Sequence, residues 1–411
     1  MASRISNPNT PFEQNRPLPC GLFCFFVEIL RNQNENKEKG IKIFAICSVA
    51  KSLDFRYNKL RKIIGREIIF MYYRNSEHTL DNYTFGIFDM YFKNYKICVL
   101  DIETTGLSPE RSHFILGGLL SLESNGNAQF SQYFAESLSE EKEILIKYLK
   151  EVATHDIVVT YNGRNFDIPF LLTRAKKMGI EVENIPYNLD LYLVLNGHSP
   201  LRKLLPNLKQ KTIENFMGLW AFRSDRISGA ESVTLYNEYL VKKRKNEDTA
   251  EHQDLLLLHN QDDVLQLSKL FPVLEKTDFH KAMYTLGFPV ISGDKKLFVQ
   301  NITFEKNYLK VSGTQATQPV DFVSYGNDID ACKIFFNKST KAFEIFCPIF
   351  TKNAFVILDL LKLPMDLQNV FEESPNFESG YLVFMSHNDI KYRDVNYFIK
   401  NFLLKVLEDI L

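Results

Sequence analysis

The chain has 411 residues, of which 45% are apolar and 24% charged, and its formal net charge is -1. That length exceeds one ordinary domain and implies two or three, and the composition is that of a soluble globular chain, which excludes a wholly disordered or strongly basic protein. A polyanionic partner would have to be held by a local basic groove or through metal ions.

The first residues, Met1 to Pro19, are mostly polar and proline-rich, and are expected to lack structure. Cys20 and Cys24 have the spacing of half a zinc site, but no second pair completes it, so they read as ordinary buried thiols. Six cysteines make no disulfide framework, and a reducing, cytoplasmic location is expected. The apolar run Cys20 to Leu30 starts late and contains Glu28, so it is no secretory signal. No run approaches the roughly 18 apolar residues of a membrane span. Asn32 to Lys42 reads as a loop, and Glu67–Tyr73 is a short apolar run. Residues 1–94 carry no motif and form an N-terminal region of unclear structure.

From Tyr95 the pattern sharpens. Lys96–Glu103, His113–Leu122 and Ala128–Ala135 read as three strands joined by short turns, an antiparallel meander. Leu138–Val152 has helical periodicity, with Ser137 and Glu140 placed for a capping box and Ser139 as the alternative cap. Asp156–Tyr161 is a buried-type strand, Asp167–Met178 a helix with Pro169 in its first turn and Gly179 past its end, and Pro186–Asp190 a fifth short strand. The chain is then mainly helical to about Phe271. Beyond Pro272 it becomes strand-like again, at Leu297–Phe304, Tyr308–Gly313, Lys333–Asn337 and Ala342–Phe350, and it ends in a helix over Val395–Leu411. Residues 95–275 and 276–411 are therefore expected to be two domains, the second an independently folding α+β unit of unknown role.

Three segments carry chemistry. In Val99-Leu-Asp101-Ile-Glu103-Thr-Thr-Gly106-Leu107, residues two apart on a strand share a face, so Asp101 and Glu103 project together. Two adjacent carboxylates repel, and a divalent cation with hard oxygen ligands removes the conflict. Two solvated acids at a strand end is the plainer account of this segment. In Tyr161-Asn-Gly163-Arg-Asn-Phe166-Asp167-Ile-Pro169, Asp167 stands where a helix N-cap belongs, and it is also at a strand end where α/β sites gather. In Leu258-His259-Asn-Gln-Asp262-Asp263-Val, His259 and Asp263 are four apart and share a helix face. A solvated pair of aspartates on a helix explains that segment alone.

Taken in order, Asp-x-Glu-Thr-Thr-Gly, Tyr-Asn-Gly-x-x-Phe-Asp and His-Asn-x-x-Asp-Val resemble the DEDD exonuclease superfamily, and more narrowly the YprB-type ribonuclease H-like family. The stretch Phe222-Arg-Ser-Asp225-Arg-Ile-Ser-Gly229-Ala-Glu231, ahead of Tyr236 and Tyr239, fits the narrower family. The resemblance covers about residues 95–272. It implies an α/β fold with a ribonuclease H-like mixed sheet, a meander followed by parallel strands with helices. It also implies a metal-dependent 3′–5′ exonuclease, a hydrolase of phosphodiester bonds. Two divalent cations, Mg²⁺ or Mn²⁺, would be held by Asp101, Glu103, Asp167 and Asp263. Thr104, Thr105, Gly106, Leu107, Asn162 and Phe166 would meet the terminal nucleotide. The partner would be nucleic acid, single-stranded with a free 3′ end, with no membrane involved. In the wider superfamily the residue assisting the attacking water is a Tyr four before the last Asp or a His five before it. His259 lies four before Asp263, which leaves it open between a general base and a helix residue bonded to a neighbouring carboxylate. Asp262 is expected to point away from the cluster, so that Asp262→Ala is nearly silent. The alternatives are a structure-specific endonuclease on the same fold and an inactive nucleic-acid-binding or scaffold protein.

Overall fold

The computed structural model describes residues 58–64, 67–79, 86–123, 126–182, 184–219, 223–224, 227–326 and 331–409. The expectations for Met1–Leu30, Asn32–Lys42, Phe222 and Asp225 fall outside these residues. The described part belongs to one compact unit, Arg56–Leu411.

The first sheet has seven strands: β1 (Asn58–Ile64), β2 (Glu67–Thr79), β3 (Ile97–Thr104), β4 (Phe114–Leu122), β5 (Asn127–Phe134), β6 (Ile157–Thr160) and β7 (Tyr187–Asp190). Their order is β1-β2-β5-β4-β3-β6-β7. β3, β4 and β5 form the expected antiparallel meander, and β6 and β7 join parallel to β3. This is the mixed ribonuclease H-like sheet the sequence predicts, extended by β1 and β2, which lie in the region before residue 95. The helices are α1 (Gly86–Phe92), α2 (Glu141–Val152), α3 (Asp167–Lys177), α4 (Leu191–His198), α5 (Leu201–Leu204), α6 (Gln210–Phe216), α7 (Gly229–Arg244) and α8 (Ala250–Lys269).

Strand alternation sorts β3 between two cores. Cys98, Leu100 and Ile102 join a cluster with Tyr148 of α2 and Phe170 of α3, while Val99 packs in another with Val264 of α8. Asp101 and Glu103 share the Val99 side and so face α8. Gly117 and Gly118 of β4 allow both layers to close on the sheet. A Cβ on Gly117 would lie 2.7 Å from the Tyr148 ring, and one on Gly118 would lie 2.2 Å from Oδ1 of Asn260 on α8. Gly118 is the register partner of Asp101, so α8 comes down directly beside the first acidic residue.

The capping box at Ser137 is not formed. Ser137 precedes a short 3₁₀ turn, Leu138–Glu140, and makes no side-chain cap bond; its hydroxyl donates to Oε1 of Glu140 instead, at 3.1 Å. Helix α2 starts at Glu141, a buried carboxylate that accepts from Arg174 of α3 at 2.7 and 2.6 Å and from the Phe114 N–H at 2.8 Å. That buried pair locks α2, α3 and β4 together.

After α8 come α9 (Phe279–Leu286) and a ten-stranded antiparallel sheet curved into a half-barrel: β8 (Phe288–Ser292), β9 (Lys295–Glu305), β10 (Tyr308–Gln315), β11 (Phe322–Ser324), β12 (Lys333–Asn337), β13 (Ala342–Lys352), β14 (Phe355–Asp359), β15 (Phe377–Glu378), β16 (Tyr381–Ser386) and β17 (Asp389–Ile390). The short α10 (Gln368–Phe371) precedes β15, and α11 (Tyr392–Asp409) closes the fold. We keep 276–411 as a proposed second domain because the sheet changes there. Its hydrophobic core is nevertheless continuous with that of the first sheet, running from Phe88 and Val99 to Phe402 and Leu407. Polar links cross the boundary too. Asn396 donates to the Tyr91 hydroxyl at 2.9 Å and Lys400 to the Met90 carbonyl at 2.6 Å, and Arg164 donates to the Leu286 carbonyl at 3.1 Å. Among the described residues no helix is long and apolar enough to cross a membrane.

Candidate active site

An open cleft of about 730 Å³ lies where β3, α6, α7 and α8 meet. Asp101, Glu103, His259 and Asp263 line it, together with Thr104, Gly106, Leu107 and Phe166 on one side and Lys209, Gln210 and Lys211 on the other. Leu107 is 84% exposed at the lip.

The cluster is assembled from three elements. β3 supplies Asp101 and Glu103 on one face. α8 supplies His259 and Asp263, one turn apart. α3 supplies Asp167, which is the first helical residue, with Phe166 at the N-cap position. The expectation of Asp167 as the cap is therefore off by one. The shift leaves its carboxyl, only 5% exposed, turned toward β3 and the other acids.

Each of three carboxylates is gripped at one oxygen by a polar neighbour. Ser232 of α7 donates to Oε2 of Glu103 at 2.5 Å, Arg223 pairs with Oδ1 of Asp263 at 2.6 Å, and Asn260 donates to Oδ2 of Asp101 at 3.1 Å. The other oxygens of Glu103 and Asp263 are turned toward Nε2 of His259, at 3.5 and 3.6 Å. Donor atoms of Glu103, His259 and Asp263 all lie within 4.8 Å of one another.

The supports are themselves fixed. Asn260 also donates to the Asp101 carbonyl at 3.1 Å and accepts from Gln132 of β5 at 3.0 Å. Arg223 is held by Glu214 of α6 through two bonds of 2.9 and 2.7 Å, and both side chains are buried. Gln210 bridges the Glu214 carboxylate and the Asp263 carbonyl. Asp262 points away from the cluster and accepts from the Ser224 N–H at 2.5 Å, which fastens the segment carrying Arg223 onto α8.

Burial raises the Asp101 carboxyl well above the usual carboxylate range, and the charges of Asp263, Asp167 and Glu103 raise it further, against the Asn260 hydrogen bond. Burial likewise pushes Asp167 up to about 7; the N–H groups of Asp167 itself and Ile102 oppose this, while Asp190 and Glu103 add to it. These are carboxyls that repel one another in a partly buried site, the conflict a cation removes. The donor set, carboxylate oxygens with one imidazole, suits a divalent ion.

The other expected contacts are placed less directly. Asn162 has φ +67°, and its loop is shaped by Asp190, which accepts from the Asn162 and Arg164 N–H groups at 2.9 and 3.0 Å. The Asn162 side chain bonds Asn165, and the Thr105 hydroxyl accepts from the His113 N–H. Neither residue lines the cleft.

The model of the RNase_H superfamily matches residues 98–275, the stretch that holds every residue of this cluster. Residues 98–275 are an RNase_H superfamily domain. The chain is also similar to parts of polymerases. A DNA polymerase of Methanocaldococcus jannaschii is 28% identical over 171 residues, 39% of this chain and 10% of that protein. A PolC-type DNA polymerase III of Ureaplasma parvum is 28% identical over 148 residues, 31% of this chain and 9% of that protein. The chain thus spans about a tenth of the length of these relatives. Among solved structures, exonuclease I aligns over 53% of this chain and 55% of its own, with a TM-score of 0.31 and 10% identity.

Sequence reasoning did not single out Arg223, Ser232, Asn260 or Gln132. Arg223 and Asn260 lie inside stretches with a visible motif, and an Arg or Asn next to an acidic ligand position was the available signal. Ser232 and Gln132 carry no sequence signal; only tertiary packing brings them in.

Proposed function

We propose that the protein is a metal-dependent 3′–5′ exonuclease that hydrolyses phosphodiester bonds of nucleic acid. The observation that supports this reading is the grouping of Glu103, His259 and Asp263, with Asp101 beside them, in a cleft of an RNase_H superfamily domain.

In this reading the four carboxylates hold two Mg²⁺ or Mn²⁺ ions. Such ions, when bound, supply a lowered pKa for water and charge stabilisation for the departing oxygen. The gripped oxygens of Glu103 and Asp263 keep the opposite oxygens turned toward His259, and Asn260 fixes Asp101, so little reorganisation is needed. His259 sits between two carboxylates, where it can accept the proton of the attacking water. Lys209 and Lys211 on the cleft wall offer positive charge to the phosphates. Thr104, Gly106, Leu107 and Phe166 are the proposed contacts with the terminal nucleotide, Leu107 as an exposed apolar wedge. Thr105 and Asn162 shape the backbone of those walls.

The test is a pair of single-stranded substrates, linear and covalently circular, in DNA and RNA form, with Mn²⁺ or Mg²⁺. The exonuclease reading expects shortening of linear strands from the 3′ end and intact circles. Cut circles would establish the endonuclease alternative, and inert substrates in both metals would favour a binding or scaffold protein.

A further inference from the structure

We propose that the solvent-facing side of the second sheet is a separate binding platform for single-stranded nucleic acid. It takes the ligand class from the nuclease reading but uses none of the cleft residues.

Alternation along β10, β12 and β13 sends Leu309, Val311, Ile334, Phe336, Phe343 and Ile345 into the core. The opposite face carries Tyr308, Phe346 and Phe335. With Tyr325 just past β11, these form an unbroken row of rings across four strands. Tyr308 and Phe346 are 6.0 Å apart, Phe346 and Phe335 5.9 Å, and Phe335 and Tyr325 5.4 Å, all edge to face. Cross-strand pairing accounts for the three strand residues as sheet stabilisers. It does not account for Tyr325, a large ring 63% exposed beyond the end of its strand, beside Val323 at 56%.

The row is interleaved with cations. Lys333 lies 4.8 Å over the Tyr308 ring and Lys310 5.2 Å over the Phe346 ring. Lys306 in the β9–β10 turn and Lys338 and Lys341 in the β12–β13 turn add exposed charge at the two ends. Against them stand Glu305 and Glu344, both near Lys310 at 3.9 and 3.0 Å, and Asp321, which accepts from the Lys338 N–H. Among the described residues the balance favours a polyanion. Aromatic faces covered by ammonium groups suit a single strand in particular. A base can take the place of the ammonium on the ring, and the ammonium can move to the phosphate beside it. A paired duplex hides its base faces and would leave the rings unused.

The experiment is fluorescence anisotropy of the full chain with labelled dT20 and U20 oligonucleotides in chelator, which silences metal-dependent cleavage. Tyr325→Ala is expected to lower affinity at least about fivefold, the lower end for loss of one stacking ring. Tyr325→Phe is expected to bind like the parent, because the ring and not the hydroxyl is used. Lys333→Glu is expected to weaken binding and to reduce its salt dependence. No binding by the parent chain, or both Tyr325→Ala and Lys333→Glu within twofold of it on both oligonucleotides, would overturn the proposal. Ring-dependent binding by a chain that cleaves nothing with metal would sink the nuclease reading alone; cleavage with ring-independent binding would sink the platform alone.

Discussion

The Arg223 guanidinium pairs with Oδ1 of Asp263 at 2.6 Å while two more of its bonds go to Glu214. A buried cation is thus shared between a structural carboxylate and a proposed metal ligand. Removing one partner of a buried ion pair typically costs about 3–5 kcal/mol, because the remaining charge is left without compensation. Arg223→Ala is expected to destabilise the chain by roughly that amount in urea unfolding and to weaken Mn²⁺ binding measured by calorimetry. Arg223→Lys should keep the charge but lose the fork on Glu214, and fall between. Stability within about 1 kcal/mol of the parent for Arg223→Ala would show that Glu214 finds another partner.

Gly118→Ala tests the packing of α8 on the sheet. The added Cβ would meet Oδ1 of Asn260 at 2.2 Å, and Asn260 cannot move without releasing Asp101. The expected result is a loss of metal affinity larger than the loss of stability. The reverse, a less stable protein with unchanged Mn²⁺ affinity, would mean that Asn260 does not position Asp101.

His259 and Asp262 are expected to separate in kinetics. A general base usually contributes about 10²- to 10⁴-fold. His259→Ala should therefore retain a small rate that rises with pH as hydroxide replaces the base, while Asp263→Ala retains almost none. The sequence expectation that Asp262→Ala is nearly silent is revised, because its buried carboxylate anchors Ser224 and with it Arg223. A loss of stability of about 1–3 kcal/mol is expected, from the lost charged hydrogen bond. Parent-like rates for His259→Ala across pH would make His259 structural.

How far the sequence foretold this site depends on the range of the forces involved. The Asp101–Glu103 face and the His259–Asp263 face follow from strand and helix periods, which are local, and both are present. The meander of β3 to β5 was legible from alternation for the same reason. β8, β14 and β16 were not, because they draw their definition from neighbouring strands. The Asp101–Asn260–Gln132 chain and the Glu214–Arg223–Asp263 chain link residues distant in sequence, and nothing local encodes them. The independent folding expected for 276–411 is likewise a question about long-range packing. The buried cluster shared by Val99, Phe279 and Leu403 argues that the two sheets stabilise each other.

In chelator the metal-free site should make the protein sensitive to pH. Asp101 and Asp167 have folded pKa values above those of the unfolded chain, so the folded state holds extra protons in between. Their contribution is full below the unfolded value, about 3.9, and is lost as pH rises through the folded one, about 7 for Asp167. Buried His155, whose pKa is lowered by desolvation, slopes the other way, so the comparison must be differential. Between pH 5 and 8 the parent is expected to lose more thermal stability than Asp167→Asn, and Mn²⁺ to remove the difference. Parallel curves in chelator would contradict the placement of Asp167 among repelling acids.

The most direct test of the central claim is cleavage of a 5′-labelled single strand followed over time by parent chain, Asp101→Asn and Asp263→Asn, with Mn²⁺ or with chelator. The account predicts a ladder shortening from the 3′ end for the parent in Mn²⁺, and no measurable cleavage by the parent in chelator or by either variant in metal. Undiminished cleavage in chelator, or parent-like rates in both variants, would contradict it.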